Sequence, residues 1–319
     1  MGKYILKRMV QVIPLLLIVS FIVFSMIHIA PYDAIDAITT PNMSQETIDI
    51  IRARYGLDEP FMVQYVLWLK QIISGDFGHS LVSQANIGDE LMIRIPNTIK
   101  LVLPAYVTAL ILSIVLGLVA GANKGKFVDQ LIDGICSIGI SMPTFWFAMI
   151  IIYFLGYRFD LLPLIGMHTV GKEDSLLDFL QHFIMPYMVL VVAFFPNLTR
   201  YVRSSTLLQL SEDYVMVQKA FGATKKEIFF RHVSKNVLLP IVTQVGLALP
   251  MLVTGAIITE SIFGWPGIGP FLMSATKSLD YPVIMAVMLL SATLVILGNL
   301  LSDVLYTIVD PRIRQGGIK

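Results

Sequence analysis

Leu101 to Gly121 is a run of 21 residues without a formal charge, and a chain holding several such runs has few ways to fold. A bilayer core is about 30 Å thick and takes roughly 20 apolar residues per helical crossing. Five further stretches come near that requirement. Met9–Ala30 carries no formal charge, Leu131–Gly156 only Asp133, Val237–Phe263 only Glu260, and Val283–Val309 only Asp303. The fourth in chain order, His182–Leu198, is shorter and contains Pro186 and Pro196. The whole sequence is 56% hydrophobic and 14% charged, well below the roughly 25% charge of a soluble domain. The runs are continuous, whereas a barrel strand alternates every second residue, so they predict helices. The expected fold is an all-α polytopic membrane protein with six transmembrane helices.

Basic residues set the orientation. With the amino terminus inside, the inner segments hold fifteen of the 23 lysines and arginines, and the longer outer segments hold eight. The positive-inside rule then places both termini in the cytoplasm. Lys3, Lys7 and Arg8 precede the first run as they would in a secretory signal. The run is longer than the roughly 7–15 apolar residues of such a signal and no small-x-small cleavage site follows, so it reads as an uncleaved span. Cys136, the single cysteine, lies within the third run and excludes an internal disulfide.

Between the first two spans, residues 31–96 form an outer region with two amphipathic helical patterns. Ser44 is a candidate N-cap for the first, with Ile48, Ile51 and Tyr55 at helical spacing, and Gly56 ends it. Pro60 opens the second, where Val63, Val66, Leu67, Lys70 and Ile73 follow. The region reads as a small cap over the spans or as a docking site for another protein. The short inner loop Ala122–Gln130 contains "GANKGKF". Its glycines are one residue too close for a phosphate-binding loop, and Phe127 replaces the hydroxyl, so ATP does not bind through it. No internal repeat, low-complexity tract or flexible linker interrupts the chain.

One long polar segment stands between two apolar ones, Ser211–Pro240. Ser211 can cap a helix whose first turn holds Glu212 and Asp213, where the helix dipole favours anions. Tyr214, Val217 and Phe221 recur on one side, and Gly222 is a C-terminal stop. Thr224-x-x-Glu227 is a capping box that starts a second helix, whose Ile228, Phe229, Val233 and Leu238 run toward Pro240. Lys219, Lys225, Lys226, Arg231 and Lys235 keep this helix–turn–helix in water. It reads as a solvated loop on lipid headgroups or as a docking element for a cytoplasmic protein. A DNA-reading unit fits poorly, because the second helix continues into a span.

The segment resembles the coupling loop of ABC importer permeases of the peptide/nickel type. The residues that carry the likeness are Glu212-Asp213-Tyr214, Ala220, Gly222, Arg231-His232, Asn236 and Leu238-Leu239-Pro240. Further stretches resemble the first permease subunit of these importers in family order: "GDFGHS" (Gly75–Ser80), "SMPTFWFA" (Ser141–Ala148), "TESIFGWPGIGPFL" (Thr259–Leu272), "DYPVIMA" (Asp280–Ala286) and "DPRIR" (Asp310–Arg314). One departure is local. Met216, Val217 and Gln218 stand where importers in general carry Glu-Ala-Ala.

The resemblance implies a type I importer permease fold in three parts: 1–30 with span 1, 31–96 as an extracytoplasmic cap, and 97–319 as a core of spans 2–6 with coupling loop 200–236. It implies a non-catalytic permease subunit for oligopeptides or dipeptides, with nickel, metal–opine complexes or glutathione as alternatives. The implied partners are a second permease, two ABC ATPases, an extracytoplasmic binding protein and the lipid bilayer, with no nucleic acid. No cofactor is expected in this chain; ATP and Mg belong to the ATPases. The cytoplasmic membrane of a bacterium is the expected location. Residues expected to couple to the ATPases are Asp213, Tyr214, Phe221, Gly222, Ala223, Thr224, Arg231 and His232.

Glu260 and Asp303 lie near span ends, where snorkelling or a structural hydrogen bond is expected, as it is for Asp133. Glu260 is also a candidate for an outer pore entrance. The histidines never pair at i, i+4, which gives no metal-ligand spacing, although His168 and His182 share one outer loop. Gly117-x-x-x-Gly121 predicts close helix packing. A stand-alone channel or secondary transporter would show inverted repeats and midplane ionisable residues, and an intramembrane enzyme would show paired catalytic groups. The sequence carries neither pattern.

Overall fold

Two long helices packed side by side form the centre of the molecule, α3 (Ile87–Ala122) and α6 (Leu176–Leu210). They are preceded by α1 (Gly2–His28) and α2 (Phe61–Ile73), and separated by α4 (Phe127–Ser141) and α5 (Thr144–Ile151). After α6 come α7 (Asp213–Ala220), α8 (Lys225–Glu227), α9 (Ser234–Ala248), α10 (Ile257–Ile262), α11 (Ile268–Lys277) and α12 (Tyr281–Val309). The computed structural model describes residues 2–29, 44, 46, 50, 58–248 and 256–309. Among the described residues there is no β-strand, only an isolated bridge between His79 and Asn86.

Among the described residues, α3, α6 and Tyr281–Ser302 of α12 are each long and apolar enough to cross a membrane. A bent pair, Phe127–Ser141 with Thr144–Arg158, makes a fourth such segment if counted as one. The described apolar part of α1, Val10–Met26, is shorter, and the fifth predicted span includes residues 249–255, outside the described set. Most of the predicted helix of 44–56 and the "DPRIR" end also lie outside it.

Small residues set the α3–α6 distance. A β-carbon on Gly117 would stand 2.5 Å from Val202 Cβ, and one on Gly121 2.5 Å from Thr206 Cγ2. The glycine pair is therefore a packing stripe, as its spacing predicted. Interhelical hydrogen bonds add to it: Ser113 Oγ donates to Phe195 O at 3.0 Å and Tyr187 Oη to Thr108 Oγ1 at 2.8 Å. Such bonds are worth about 0.6 kcal/mol each in membranes.

Three expectations change. The third span is not one straight helix; it bends by 95° between α4 and α5. Pro143 forces this, because a proline disfavours helical geometry in the residue before it, and Met142 is extended at φ −89°, ψ 118°. Past Ile151 the helix widens into a π-helical segment, Ile152–Arg158. The short fourth span is the middle of a 35-residue helix that carries Pro186 and Pro196 within it. The boundary drawn at residue 96 falls inside α3, which starts at Ile87 with Asn86 Oδ1 accepting from Asp89 N.

The second helix predicted within 31–96 forms after Pro60, but it packs through a different face. Val63, Val66, Leu67 and Ile73 are exposed, while Phe61, Tyr65 and Trp68 pack edge-on or tilted against Phe21, Phe24 and His28 of α1. Tyr65 Oη lies 2.9 Å from Ser20 Oγ. Aromatic ring area, not aliphatic periodicity, chose the contact face.

Candidate functional site

The predicted helix–turn–helix exists. Ser211 ends α6 rather than capping α7: its hydroxyl donates to Leu208 O at 2.7 Å, and Glu212 takes the N-cap position without a side-chain bond. At the other end of α7, Ala223 N donates to Gln218 O at 3.1 Å and Gly222 N to Lys219 O at 3.0 Å. This double closure is a Schellman stop, and it requires the left-handed φ of +84° at Gly222. Thr224 then caps α8, its Oγ1 accepting from Glu227 N at 3.2 Å. Glu227 does not return the bond that a full capping box would have; its carboxylate faces Arg231 at 3.5 Å. A π-helical turn, Ile228–Val233, leads into α9.

The apolar residues divide between two surfaces. Val215, Ile228 and Val233 are buried with Val202, Val237 and Ile241, anchoring the hairpin to α6 and α9. Tyr214 is half-buried, with its hydroxyl on Gln209 Oε1 at 3.0 Å. Val217 and Phe221 point out, Phe221 with 85% of its surface exposed. Val215, one residue along from Tyr214, supplies the anchor instead. Met216 is exposed too. Among the predicted coupling residues, Asp213, Phe221, Gly222, Thr224 and Arg231 are exposed, and Tyr214, Ala223 and His232 are half-buried. Space around Gly222 is open, so its requirement is conformational, not steric.

Two ion pairs brace the helix that carries the hairpin. Arg203 donates through Nε and Nη2 to both oxygens of buried Asp129, at 2.6 and 2.8 Å. Gly125 N adds a third bond to that carboxylate at 2.8 Å. One turn away, Arg200 Nε meets Asp133 at 3.2 Å, the structural hydrogen bond expected for Asp133. Arg200 and Arg203, spaced i, i+3, face Asp133 and Asp129, spaced i, i+4, a complementary pattern that sequence reasoning missed.

The Thr259–Leu272 segment is built in the opposite manner. Glu260 is fully buried and does not line an entrance in this chain; the loop after α10 folds over it. Its Oε2 accepts from Gly269 N at 2.8 Å, while Oε1 is buried without a hydrogen-bond partner. Thr98 Oγ1 receives Ile268 N at 2.9 Å, Trp265 Nε1 donates to Asn97 O at 2.8 Å, and Asn97 Nδ2 to Pro266 O at 3.1 Å. A β-carbon at Gly267 would collide with Glu260 Oε2 and Thr98 Oγ1, so the motif needs its glycine where the backbone crosses the carboxylate.

Two other motifs also meet. Asp280 accepts from Ser80 Oγ at 2.5 Å and from Leu81 N at 3.1 Å, joining "GDFGHS" to "DYPVIMA" across 200 residues. Sequence reasoning missed this tie, for which neither motif carries a local sign. His168 and His182 do come together, at 3.7 and 3.6 Å from Asp178 Oδ2. Thr169 fills the same carboxylate with two bonds, and His182 Nδ1 lies 2.8 Å from Asp178 O. Among the described residues, no three His, Cys, Asp or Glu side chains could hold a metal. The Asp303 side chain lies outside the described set.

Comparison with known proteins agrees with the motifs. Residues 113–315 match the family "binding-protein-dependent transport system inner membrane component", and residues 1–102 match its N-terminal companion. The chain is 37% identical over 314 residues to the oligopeptide transport system permease protein AppB of Bacillus subtilis, covering 98% of this chain and 99% of the relative. It is 34% identical to the glutathione transport system permease protein GsiC of Escherichia coli K12, over the same shares. Its helices, its hairpin and these matches establish that the chain belongs to the binding-protein-dependent transport system inner membrane components, as an ABC importer permease of the peptide type.

Proposed function

We propose that this permease is one of two membrane subunits that together form the pore of an importer for oligopeptides or dipeptides. It crosses the membrane six times with both termini in the cytoplasm, and residues 31–96 lie outside. Two cytoplasmic ATPases bind ATP and Mg and close on each other. The loop 200–236 carries that motion to the spans, and an extracytoplasmic protein delivers substrate. The chain itself catalyses nothing. It resides in the cytoplasmic membrane of a bacterium, as its relatives' organisms suggest.

The observation that carries this reading is the exposed hairpin. A segment fixed by a Schellman stop and a threonine cap, anchored by Val215 and Val233, still presents Met216, Val217 and Phe221 to solvent. A solvated loop has no use for three large apolar residues on a rigid, basic frame; a cleft on a partner does. Glutathione is the second reading of substrate, favoured by the 34% identity to the glutathione permease over the full chain.

A mild-detergent pull-down of the tagged chain from its native membrane tests the assembly. The expected result is capture of a second six-span chain and two ATPases, identified by mass spectrometry, with the ATPases lost on deleting 211–235. Recovery of the chain alone, under conditions that preserve other complexes, would overturn it.

A further inference from the structure

Beside the hairpin lies a groove that the coupling role does not use. It is lined by the end of α3 and the following turn, Asn123, Lys124 and Lys126, and by Leu207, Leu210 and Ser211 at the end of α6, and it is an open groove of about 340 Å³. That is the lower end of the roughly 300–1,000 Å³ found for small-ligand sites.

Its charge is uncompensated. Asp129, the acid of this loop, has both oxygens occupied by Arg203 and Gly125 N. Neither Lys124 nor Lys126 forms an ion pair among the described residues, and Lys126 reaches only Asn123 Oδ1, at 3.4 Å. Its other wall is apolar, from Leu207 and Leu210. Next to it Phe127, Val128 and Leu131 are exposed on the first turns of α4, which belongs to the bent apolar segment. Two ammonium groups without an ion pair, and an apolar wall that opens onto the exposed apolar side chains of α4, match one kind of molecule: an anion that carries a hydrocarbon tail.

We infer that this groove binds the phosphate headgroup of an anionic phospholipid from the cytoplasmic leaflet, with Lys124 and Lys126 on the phosphate and the acyl chain along Phe127 and Leu131. Basic pockets between helices at the cytoplasmic boundary are suited to such headgroups. The lipid would sit against the same turn that Gly125 and Asp129 tie to Arg203 on α6, close to the start of the hairpin. Only the choice of leaflet rests on the topology proposed above.

The test is lipid retention by the purified full-length chain. Protein is exchanged into micelles holding equal phosphatidylglycerol and phosphatidylethanolamine, and bound lipid is counted by native mass spectrometry. Wild type is expected to keep phosphatidylglycerol in preference. K124Q/K126Q should weaken that binding about thirtyfold, the loss expected for two lysines beside anionic headgroups. K124R/K126R should retain it, and K225Q/K226Q, which removes equal charge from the hairpin, should leave it unchanged. Equal retention by K124Q/K126Q and wild type would overturn the site. Equal loss from K225Q/K226Q would reduce it to net charge, and displacement by inorganic phosphate as readily as by short-chain phosphatidylglycerol would make it a phosphate site. Retention requires no ATPase, so a failed pull-down and a failed lipid test are separate results.

Discussion

The Gly222 hairpin and the loop that folds over Glu260 are both glycine turns between helices, and they are held by opposite means. The hairpin closes itself: every bond that shapes it spans at most five residues, and its tip faces outward. The Glu260 loop closes on distant chain, with Thr98 and Asn97 bonded to residues about 170 positions later. Its central residues, Trp265 and Glu260, are fully buried. A self-contained turn can present a surface to a partner without costing the fold its stability. A turn built from long-range bonds is part of the core, and changing it disturbs the whole bundle.

The largest expected effect follows from that contrast. Trp265→Ala removes a fully buried indole packed near Phe179 and Phe183 and leaves Asn97 O without its donor. It should destabilise the chain by about 3–5 kcal/mol. The single cysteine supplies the measurement, because Cys136 is buried and a thiol-reactive fluorophore reports its exposure on heating. A Trp265→Ala chain that melts like wild type would show that the loop is not core.

Glu260 sharpens the comparison at a smaller scale. Glu260→Ala strands the Gly269 amide and opens space beside Gly267, at about 1–3 kcal/mol for a buried unpaired group. Glu260→Gln keeps an acceptor for Gly269 and should lose less in the same thermal assay. Equal losses would mean that the ionised form, rather than its hydrogen bond, holds the loop.

These two regions also mark how far the sequence could be read. Thr224 and Glu227, Gly222, and the glycine pair of α3 act on neighbours three to six residues away or through a helical period, so their spacing was informative. The third-span bend was legible in principle, since Pro143 sits in mid-run, yet hydrophobicity alone spoke for one crossing. Glu260 does make the structural hydrogen bond expected of it, but its full burial depends on where Gly267 and Thr98 arrive in space. The same holds for Asp280 with Ser80, and for the two histidines that share Asp178. For α7 the helical spacing of Tyr214, Val217 and Phe221 was legible, but not that Val215 anchors it, because the packed face depends on where α6 and α9 lie in space.

Gly222→Val comes next in size. The site is open, so no clash arises, but a β-branched residue at φ +84° carries about 1–2 kcal/mol of backbone strain. Because the closure is local, that strain should be relieved by reshaping the hairpin, with little change in melting of the bundle. ATPase capture in the pull-down should fall sharply. Intact capture with full import by Gly222→Val would remove the turn from the coupling role.

Phe221→Ala should have the smallest effect on the fold and the clearest effect on assembly. The ring is 85% exposed, outside the Val215–Val233 cluster, and makes no hydrogen bond that shapes the turn. Surface substitutions of this kind change stability by about ±0.5 kcal/mol or less, so melting should be unchanged. If Phe221 fills a cleft on an ATPase, its loss removes a buried anchor of the sort that dominates interfaces, worth about 2 kcal/mol or more. That is roughly a thirtyfold weakening of the complex. Thr224→Ala provides the control, because it loosens the cap by about 1 kcal/mol while leaving the exposed ring in place. Loss of capture with Phe221→Ala but not with Thr224→Ala would locate the contact in the side chain itself. Loss with both, in equal measure, would locate it in the rigidity of the hairpin, and the self-contained turn would then be the feature on which coupling depends.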